Sequence, residues 1–170
     1  MKKLKKSLGQ HFLIDKNITK KILKQTEIFH KKIIEIGPGN GFLTDEIIKL
    51  NPKQLILIEK DNDLSEILKC KYIKKNNITI FNNDALNFDY SKLKNYKLIS
   101  NLPYNISSKL IFKFIKNNNI FNEMVLMIQK ELATKYDYNK RSKNNKYKFI
   151  LEAFTEYKIC FNVSRNVFFP

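Results

Sequence analysis

The chain of 170 residues contains no tryptophan, only two cysteines, and no apolar run that approaches the length of a membrane span. Cys70 and Cys160 lie far apart, without a Cys-x-x-Cys pair or a neighbouring histidine, so neither a metal site nor a disulfide is indicated. The basic N-terminal residues are not followed by the apolar segment of a secretory signal. These absences predict a soluble cytoplasmic protein without a membrane partner, and they leave an organellar location open.

Arginine is also scarce, because only Arg141 and Arg165 occur among 32 basic residues. The net charge is nevertheless +16, which is typical of proteins that bind nucleic acids. The excess of lysine, asparagine and isoleucine also fits a drift of codon usage towards A and T, which raises lysine without selection for binding. The charge therefore supports a nucleic-acid partner without establishing one.

Short β-branched runs alternate with segments whose apolar residues recur at helical spacing. With 43% hydrophobic residues, the chain is long enough for one domain with a core, and disorder is excluded. The alternation predicts an α/β fold, with a mostly parallel central sheet and helices on both faces. The predicted strands are 33–36, 55–58, 78–81, 98–100 and 124–128, and the predicted helices are 16–27 (with Asp15 as N-cap), 42–50, 64–72 and 106–115. A loop over 136–148 and a closing hairpin of 150–154 and 158–161 are predicted to follow.

A glycine-rich loop over 37–41 directly follows the first strand of the predicted sheet. Gly37 and Gly39 match the first two glycines of the dinucleotide fingerprint G-x-G-x-x-G, but the third glycine is Gly41. Glycines let a backbone approach a ligand, and the following helix presents its N-terminus to it. Glu59 ends the next strand, where a carboxylate can accept both ribose hydroxyls of NAD or S-adenosylmethionine. The loop spacing favours S-adenosylmethionine, and a purely structural turn is the alternative.

Polar residues also follow the third and fourth predicted strands. Asp84 is placed to accept a hydrogen bond from a cofactor's adenine amine, although a lone aspartate in a turn is usually a turn former. Asn101, Leu102, Pro103 and Tyr104 are suited to hold a flat, amino-bearing base. If the Asn101 side chain and the Leu102 carbonyl accept the two N–H bonds of adenine N6, its lone pair can point at a sulfonium methyl. Tyr104 would stack on the base; an ordinary turn with a core tyrosine is the alternative.

The glycine loop, Glu59, Asp84 and Asn101 all fall at the carboxyl ends of predicted strands. Ligands of open α/β sheets bind in the crevice outside these ends. The sequence therefore predicts that a cofactor and a base meet in one crevice.

The chain resembles the small-subunit ribosomal RNA adenine N6,N6-dimethyltransferases, the KsgA family. The motifs that carry the resemblance span nearly the whole chain: 9–13, 35–41, Glu59, Asp84-Ala85, 101–107, 127–131 and 168–170. It implies a Rossmann-like class I S-adenosylmethionine-dependent methyltransferase fold without a metal. It also implies a cofactor pocket lined by His11, Leu13, Gly37, Gly39, Glu59, Asp84 and Asn101. Phe168 resembles the aromatic residue that would sandwich the flipped base with Tyr104.

The resemblance further implies a reaction, a partner and a role in ribosome biogenesis. Members of the family dimethylate two adjacent adenosines in a hairpin near the 3′ end of the small-subunit ribosomal RNA. They continue into a small helical domain, whereas this sequence covers a catalytic domain over 1–170 with a basic arm over 1–14. Around Tyr147 it reads Tyr-Lys-Phe where the family has a Tyr-Gly-Arg-like turn. We expect a monomer.

Two other functions share these motifs. One is methylation of adenine N6 in large-subunit ribosomal RNA. The other is a non-catalytic ribosome-assembly or transcription factor that retains the cofactor pocket. A DNA adenine methyltransferase is disfavoured, because those enzymes usually carry an acidic residue where Asn101 stands.

Overall fold

The computed structural model describes residues 12–117, 120–136 and 146–169, which build a five-stranded parallel sheet flanked by helices. The strand order is β4-β3-β2-β5-β6, so the predicted α/β fold is confirmed. In chain order the elements are β1 (Phe12–Leu13), α1 (Lys16–Leu23), β2 (Lys32–Ile36), α2 (Phe42–Lys49), β3 (Gln54–Glu59), α3 (Asn62–Tyr72), β4 (Ile78–Asn82), β5 (Tyr96–Asn101), α4 (Ser107–Lys116), β6 (Phe121–Met127), α5 (Lys130–Tyr136), α6 (Lys146–Phe154) and β7 (Phe168–Phe169).

The core lies on both faces of the sheet because its strands are apolar on both sides. Ile33 and Leu57 face one cluster, to which the helices α1, α2 and α3 contribute. Ile34 and Leu98 face the other, to which α4, α5 and α6 contribute. The strand order reverses direction between β2 and β5, and a crevice opens at such a point in an α/β sheet.

Helix α1 begins as predicted and ends earlier than predicted. The Asp15 carboxylate caps it by accepting hydrogen bonds from the backbone N–H groups of Asn17 (2.7 Å) and Ile18 (3.1 Å). The helix ends at Leu23 instead of position 27. No apolar residue occurs between Leu23 and the buried Ile28, so no packing face would hold a further turn.

The predicted C-terminal hairpin is wrong. Residues 150–154 belong to helix α6, and 158–161 form neither strand nor helix. Leu151 of α6 is buried in the same cluster as Tyr136 of α5, so the apolar run packs as one face of a helix. An apolar run as short as this one fits a helix and a strand equally well, because it is too short for its periodicity to distinguish them. Of the predicted loop over 136–148, residues 137–145 lie outside the described part of the chain.

Two short strands join the ends of the described chain. β1 pairs with β7 in antiparallel fashion, with Leu13 opposite Phe168. The Ile14 N–H donates to the Val167 carbonyl over 2.9 Å and extends the pairing. This ladder places Phe12 against the glycine loop, where a side chain at Gly39 would lie 2.8 Å from the Phe12 ring. Within the described residues, no helix is long and apolar enough to cross a membrane.

Candidate active site at the carboxyl edge of the sheet

A cleft that is partly open to solvent lies at the carboxyl ends of the central strands. Eight of the predicted site residues line it: Gly37, Gly39, Glu59, Asp84, Asn101, Leu102, Pro103 and Tyr104. Two predicted residues of the described chain do not line it: Leu13 is buried, and Phe168 pairs with it. The predicted His11 lies outside the described residues.

The backbone of the glycine loop lies so close to Pro103 and Phe12, on two walls of the cleft, that side chains on Gly37 and Gly39 would collide with them. Gly37, Gly39 and Gly41 all adopt positive φ angles, of 65°, 60° and 80°. A side chain on Gly37 would lie 3.1 Å from the ring of Pro103. The loop that follows β2 therefore contacts the segment that follows β5. The predicted cofactor-binding loop and the predicted base-binding segment are thus neighbours in the cleft.

Glu59 links the glycine loop to the start of α3. One carboxylate oxygen accepts the Gly39 N–H at 3.1 Å, and the other accepts the Asp61 N–H at 2.9 Å. Burial raises the pKa of Glu59, and these backbone hydrogen bonds oppose the rise. Each carboxylate oxygen has a second lone pair, so Glu59 can hold the loop and accept a ligand hydroxyl at once.

Asp84 lines the cleft as an ion-paired turn former. One oxygen accepts the Leu86 N–H at 2.9 Å, and the other lies 2.8 Å from Nζ of Lys60. The Lys60 hydrogen bond is the main reason why the pKa of Asp84 is lowered. Lys60 also lines the cleft, and sequence reasoning missed it. Its position directly after Glu59, at the end of β3, was the available signal.

The segment after β5 is held rigidly at the end of its strand. The Leu102 N–H donates to the Met127 carbonyl at 3.1 Å, which ties the segment to β6. The Pro103 carbonyl accepts the Ile106 N–H at 3.2 Å and the Ser107 hydroxyl at 2.8 Å, which closes the turn into α4. The side-chain oxygen of Asn101 is buried. These contacts anchor the backbone of Leu102 to β6 and that of Pro103 to the start of α4.

Ser100 joins this segment to the glycine loop. Its hydroxyl donates a 2.6 Å hydrogen bond to the Ile36 carbonyl, which immediately precedes Gly37. The bond joins β2 and β5, the two neighbouring strands at which the order of the strands along the sheet reverses. Sequence reasoning missed this contact because it depends on the parallel pairing of β2 with β5.

Glu35 is a buried acid on β2, two residues before the glycine loop. The Thr44 hydroxyl donates to its carboxyl group over 2.7 Å. Burial raises the pKa of Glu35 to about 8, so the group is mostly protonated at pH 7. The folded protein therefore favours the neutral form of this buried group.

We expect the stability of the protein to depend on pH through Glu35. The folded-state pKa is raised from 4.5 to about 8, so the folded protein keeps a proton that the unfolded chain releases between these values. The free energy of unfolding should fall by about 1.4 kcal/mol per pH unit across this window from this group. Denaturant unfolding at pH 5 to 9 should show that Glu35→Gln, which keeps an acceptor for Thr44, lacks this decline. Parallel curves for the two proteins would refute the assignment.

The whole sequence is similar to that of a known protein family. A family model described as ribosomal RNA adenine dimethylase matches residues 1–170. The ribosomal RNA small subunit methyltransferase A of Pelagibacter ubique is 47% identical over 136 residues, which cover 77% of this chain and 51% of that protein. The chain spans about half to two thirds of the length of the curated relatives it matches.

Two solved methyltransferase structures are similar to this chain in fold. The crystal structure of a dimethyladenosine transferase from Plasmodium falciparum has a TM-score of 0.65 at 33% identity, covering 74% of this chain and 46% of that one. The structure of the 23S rRNA methyltransferase ErmE has a TM-score of 0.67 at 26% identity, covering 77% of this chain and 54% of that one. These likenesses agree with the Rossmann-like methyltransferase fold expected from the motifs.

Proposed function

The chain belongs to the ribosomal RNA adenine dimethylase family, and on that premise we propose that it methylates small-subunit ribosomal RNA. Methyl groups pass from S-adenosylmethionine to N6 of two adjacent adenosines in the hairpin near the 3′ end. Residues 1–170 act as the catalytic domain, and the protein works as a monomer in ribosome biogenesis. The curated relatives are named small subunit methyltransferases, which supports the small subunit as substrate.

One observation carries the proposal: the glycine loop and the segment after β5 form adjoining walls of one cleft. A Cβ on Gly37 would lie 3.1 Å from Pro103, next to Asn101 and Tyr104. A cofactor against the loop and a base against that segment would therefore lie in contact. Methyl transfer in a single step needs this arrangement, because the two reacting atoms must be held in line.

The residues of the cleft fit S-adenosylmethionine. A Cβ on Gly37 would meet the ring of Pro103, and one on Gly39 would meet the ring of Phe12, so the glycines let the loop pack closely against both walls of the cleft. Glu59 would accept the ribose hydroxyls, and Asp84 would accept the adenine amine while keeping its bond to Lys60. When bound, S-adenosylmethionine supplies an electrophilic methyl group on a sulfonium centre.

The segment after β5 would prepare the target adenine for attack. Its exocyclic nitrogen is a poor nucleophile because the lone pair is delocalised into the ring. The Asn101 side-chain oxygen and the Leu102 carbonyl would accept its two N–H bonds, favouring a tetrahedral nitrogen and stabilising the positive charge that develops there. The nitrogen loses a proton after the methyl group is transferred, so the step needs no protein base.

Tyr104 would stack on the flipped base. Burial raises the pKa of Tyr104, so the ring is uncharged at neutral pH. Replacing Tyr104 by alanine should cost about 1–3 kcal/mol of stacking. We therefore expect kcat/KM for RNA to fall roughly 5- to 150-fold while the dissociation constant of S-adenosylmethionine is unchanged. Tyr104→Phe keeps the ring and should stay close to the wild type. An unaffected kcat/KM in the alanine variant would remove Tyr104 from the base site.

Methylation of large-subunit ribosomal RNA is the second candidate, favoured by the structural likeness to ErmE. The two are separated by offering labelled S-adenosylmethionine with small subunits from a strain that lacks this dimethylation, and with large subunits in parallel. Label on small subunits alone supports the proposal. Label on large subunits alone supports the second candidate. Cofactor binding without transfer to either subunit indicates a non-catalytic factor.

A further inference from the structure

The third glycine of the loop faces helix α3, whereas the first two, Gly37 and Gly39, line the cleft. A Cβ on Gly41 would collide with the hydroxyl oxygen of Tyr72 and would lie 3.1 Å from Cδ2 of Leu68. Gly41 is also the N-cap of α2, with a φ of 80°. The missing side chain at this position therefore makes room for Tyr72 and not for a ligand in the cleft.

The hydroxyl of the buried Tyr72 connects the last residue of α3 to the glycine loop. It lies 2.8 Å from Oδ1 of Asp45 and 3.2 Å from the carbonyl oxygen of Gly41, so its hydrogen is shared between two acceptors. The Gly41 carbonyl also accepts the Asp45 N–H at 2.9 Å, in the hydrogen bond that opens α2. One hydroxyl group therefore joins the end of α3, the end of the loop and the first turn of α2.

Lys71 joins the same three parts through its charge. Its Nζ lies 2.7 Å from Oδ2 of Asp45 and donates to the Asn40 carbonyl at 3.2 Å. The Asn40 side chain in turn accepts the Phe42 N–H at 3.1 Å, at the start of α2. The Asp45 carboxylate thus binds Lys71 with one oxygen and Tyr72 with the other. Tyr72, Lys71 and Asp45 form a clamp on the last two residues of the loop.

The clamp acts on the loop from outside the cleft. Glu59 lines the cleft and accepts the Gly39 N–H, whereas the three clamp residues line a separate surface groove and hold Asn40 and Gly41. The clamp therefore fixes the loop backbone and leaves the cleft to a ligand. Such support matters in this segment because glycine loses more conformational freedom on ordering than any other residue. A loop that is ordered before binding does not lower the affinity by having to be ordered during it.

We propose that the clamp, and above all the Tyr72 hydroxyl, holds the glycine loop in the conformation that binds S-adenosylmethionine. The inference rests on the proposed function, because it takes the loop as the binding site of this cofactor. Tyr72 is a positioning residue, which acts on the cofactor through the loop. Loss of its hydroxyl should therefore weaken cofactor binding without changing the transfer step.

The test compares Tyr72→Phe and Tyr96→Phe with the wild type. Tyr72→Phe removes one hydroxyl group and keeps the ring that packs in the core. Tyr96→Phe is the matched control, because the Tyr96 hydroxyl also makes one hydrogen bond, of 2.6 Å to Gln54, at the end of β5 opposite to the cleft. The readouts are the Kd of S-adenosylmethionine by calorimetry, hydrogen exchange of the backbone amides over 37–41, the melting temperature, and kcat and KM for methyl transfer.

We expect Tyr72→Phe to raise the Kd and the KM of S-adenosylmethionine roughly 3- to 10-fold while kcat at saturating cofactor is retained. Amides of the loop should exchange faster than in the wild type when the protein is free, and at the wild-type rate when the cofactor is saturating. Tyr96→Phe should leave the Kd and the exchange of the loop unchanged, even where it lowers the melting temperature as much as Tyr72→Phe does.

The proposal is overturned if Tyr72→Phe binds S-adenosylmethionine as tightly as Tyr96→Phe does. It is also overturned if exchange in Tyr72→Phe accelerates equally throughout the sheet, because the hydroxyl would then stabilise the whole fold and not the loop. A wild type that binds S-adenosylmethionine but methylates neither ribosomal subunit would contradict the proposed function, and the comparison of Kd values would still decide the role of Tyr72.

Discussion

Replacing Asn101 by alanine is expected to reduce methyl transfer by at least ~100-fold while S-adenosylmethionine binding is largely retained. Asn101 ends β5 and lines the cleft, and its side-chain oxygen is buried. Removing this acceptor leaves one N–H of the target amine without its partner just when positive charge develops on the nitrogen. The loss should therefore appear in kcat, because the contact strengthens in the transition state.

A matched variant separates this role from damage to the fold. Asn101→Asp keeps a side-chain oxygen that can accept the same N–H bond, so it should retain more activity than Asn101→Ala. Single-turnover transfer of labelled methyl groups and calorimetric titration with S-adenosylmethionine measure the two steps independently. Wild-type turnover in Asn101→Ala would rule out the proposed acceptor, and loss of cofactor binding alone would assign Asn101 to the cofactor.

Replacing Glu59 by alanine should weaken S-adenosylmethionine binding most among the predicted cofactor residues. Glu59 would hold the ribose, and it already accepts the Gly39 and Asp61 N–H groups. Hydrogen bonds to a charged group contribute about 1.5–3 kcal/mol each, so loss of one cofactor contact raises Kd roughly 10- to 150-fold. Release of the glycine loop should add to this effect.

The control for Glu59 is another buried glutamate. Glu46 lies on α2, outside the cleft lining, and pairs with Lys49. Calorimetry should find the Kd of Glu46→Ala close to that of the wild type. The assignment of Glu59 fails if both alanine variants bind S-adenosylmethionine equally well.

The parallel sheet and the grouping of residues at its carboxyl edge could be predicted because the sequence patterns that indicate them are local and recur along the chain. Each strand of the sheet is a short β-branched or apolar run, and a helical segment follows most of them. Once such an alternation is recognised, the residues that follow the strands must meet at one edge. The grouping of Glu59, Asp84 and Asn101 in one cleft follows from this rule, and the structure places them there.

The remaining contacts could not be predicted because they join segments distant in sequence. The β1–β7 ladder has two residues per strand, too few for any period to be visible, yet it brings Phe12 to the cleft. The pairing of Lys60 with Asp84 depends on the register of β3 with β4. The roles of the individual residues, including His11 and Phe168, stay predictions from the resemblance.

The most direct test of the account is nucleoside analysis of small-subunit RNA after incubation with the protein and S-adenosylmethionine. The substrate is small subunits from a strain that lacks the dimethylation, and Asn101→Ala is run in parallel. The account predicts N6,N6-dimethyladenosine with the wild type and almost none with the variant. An unmethylated RNA, or equal amounts of product from both proteins, would contradict the claim that this cleft aligns an adenine amine with a methyl donor.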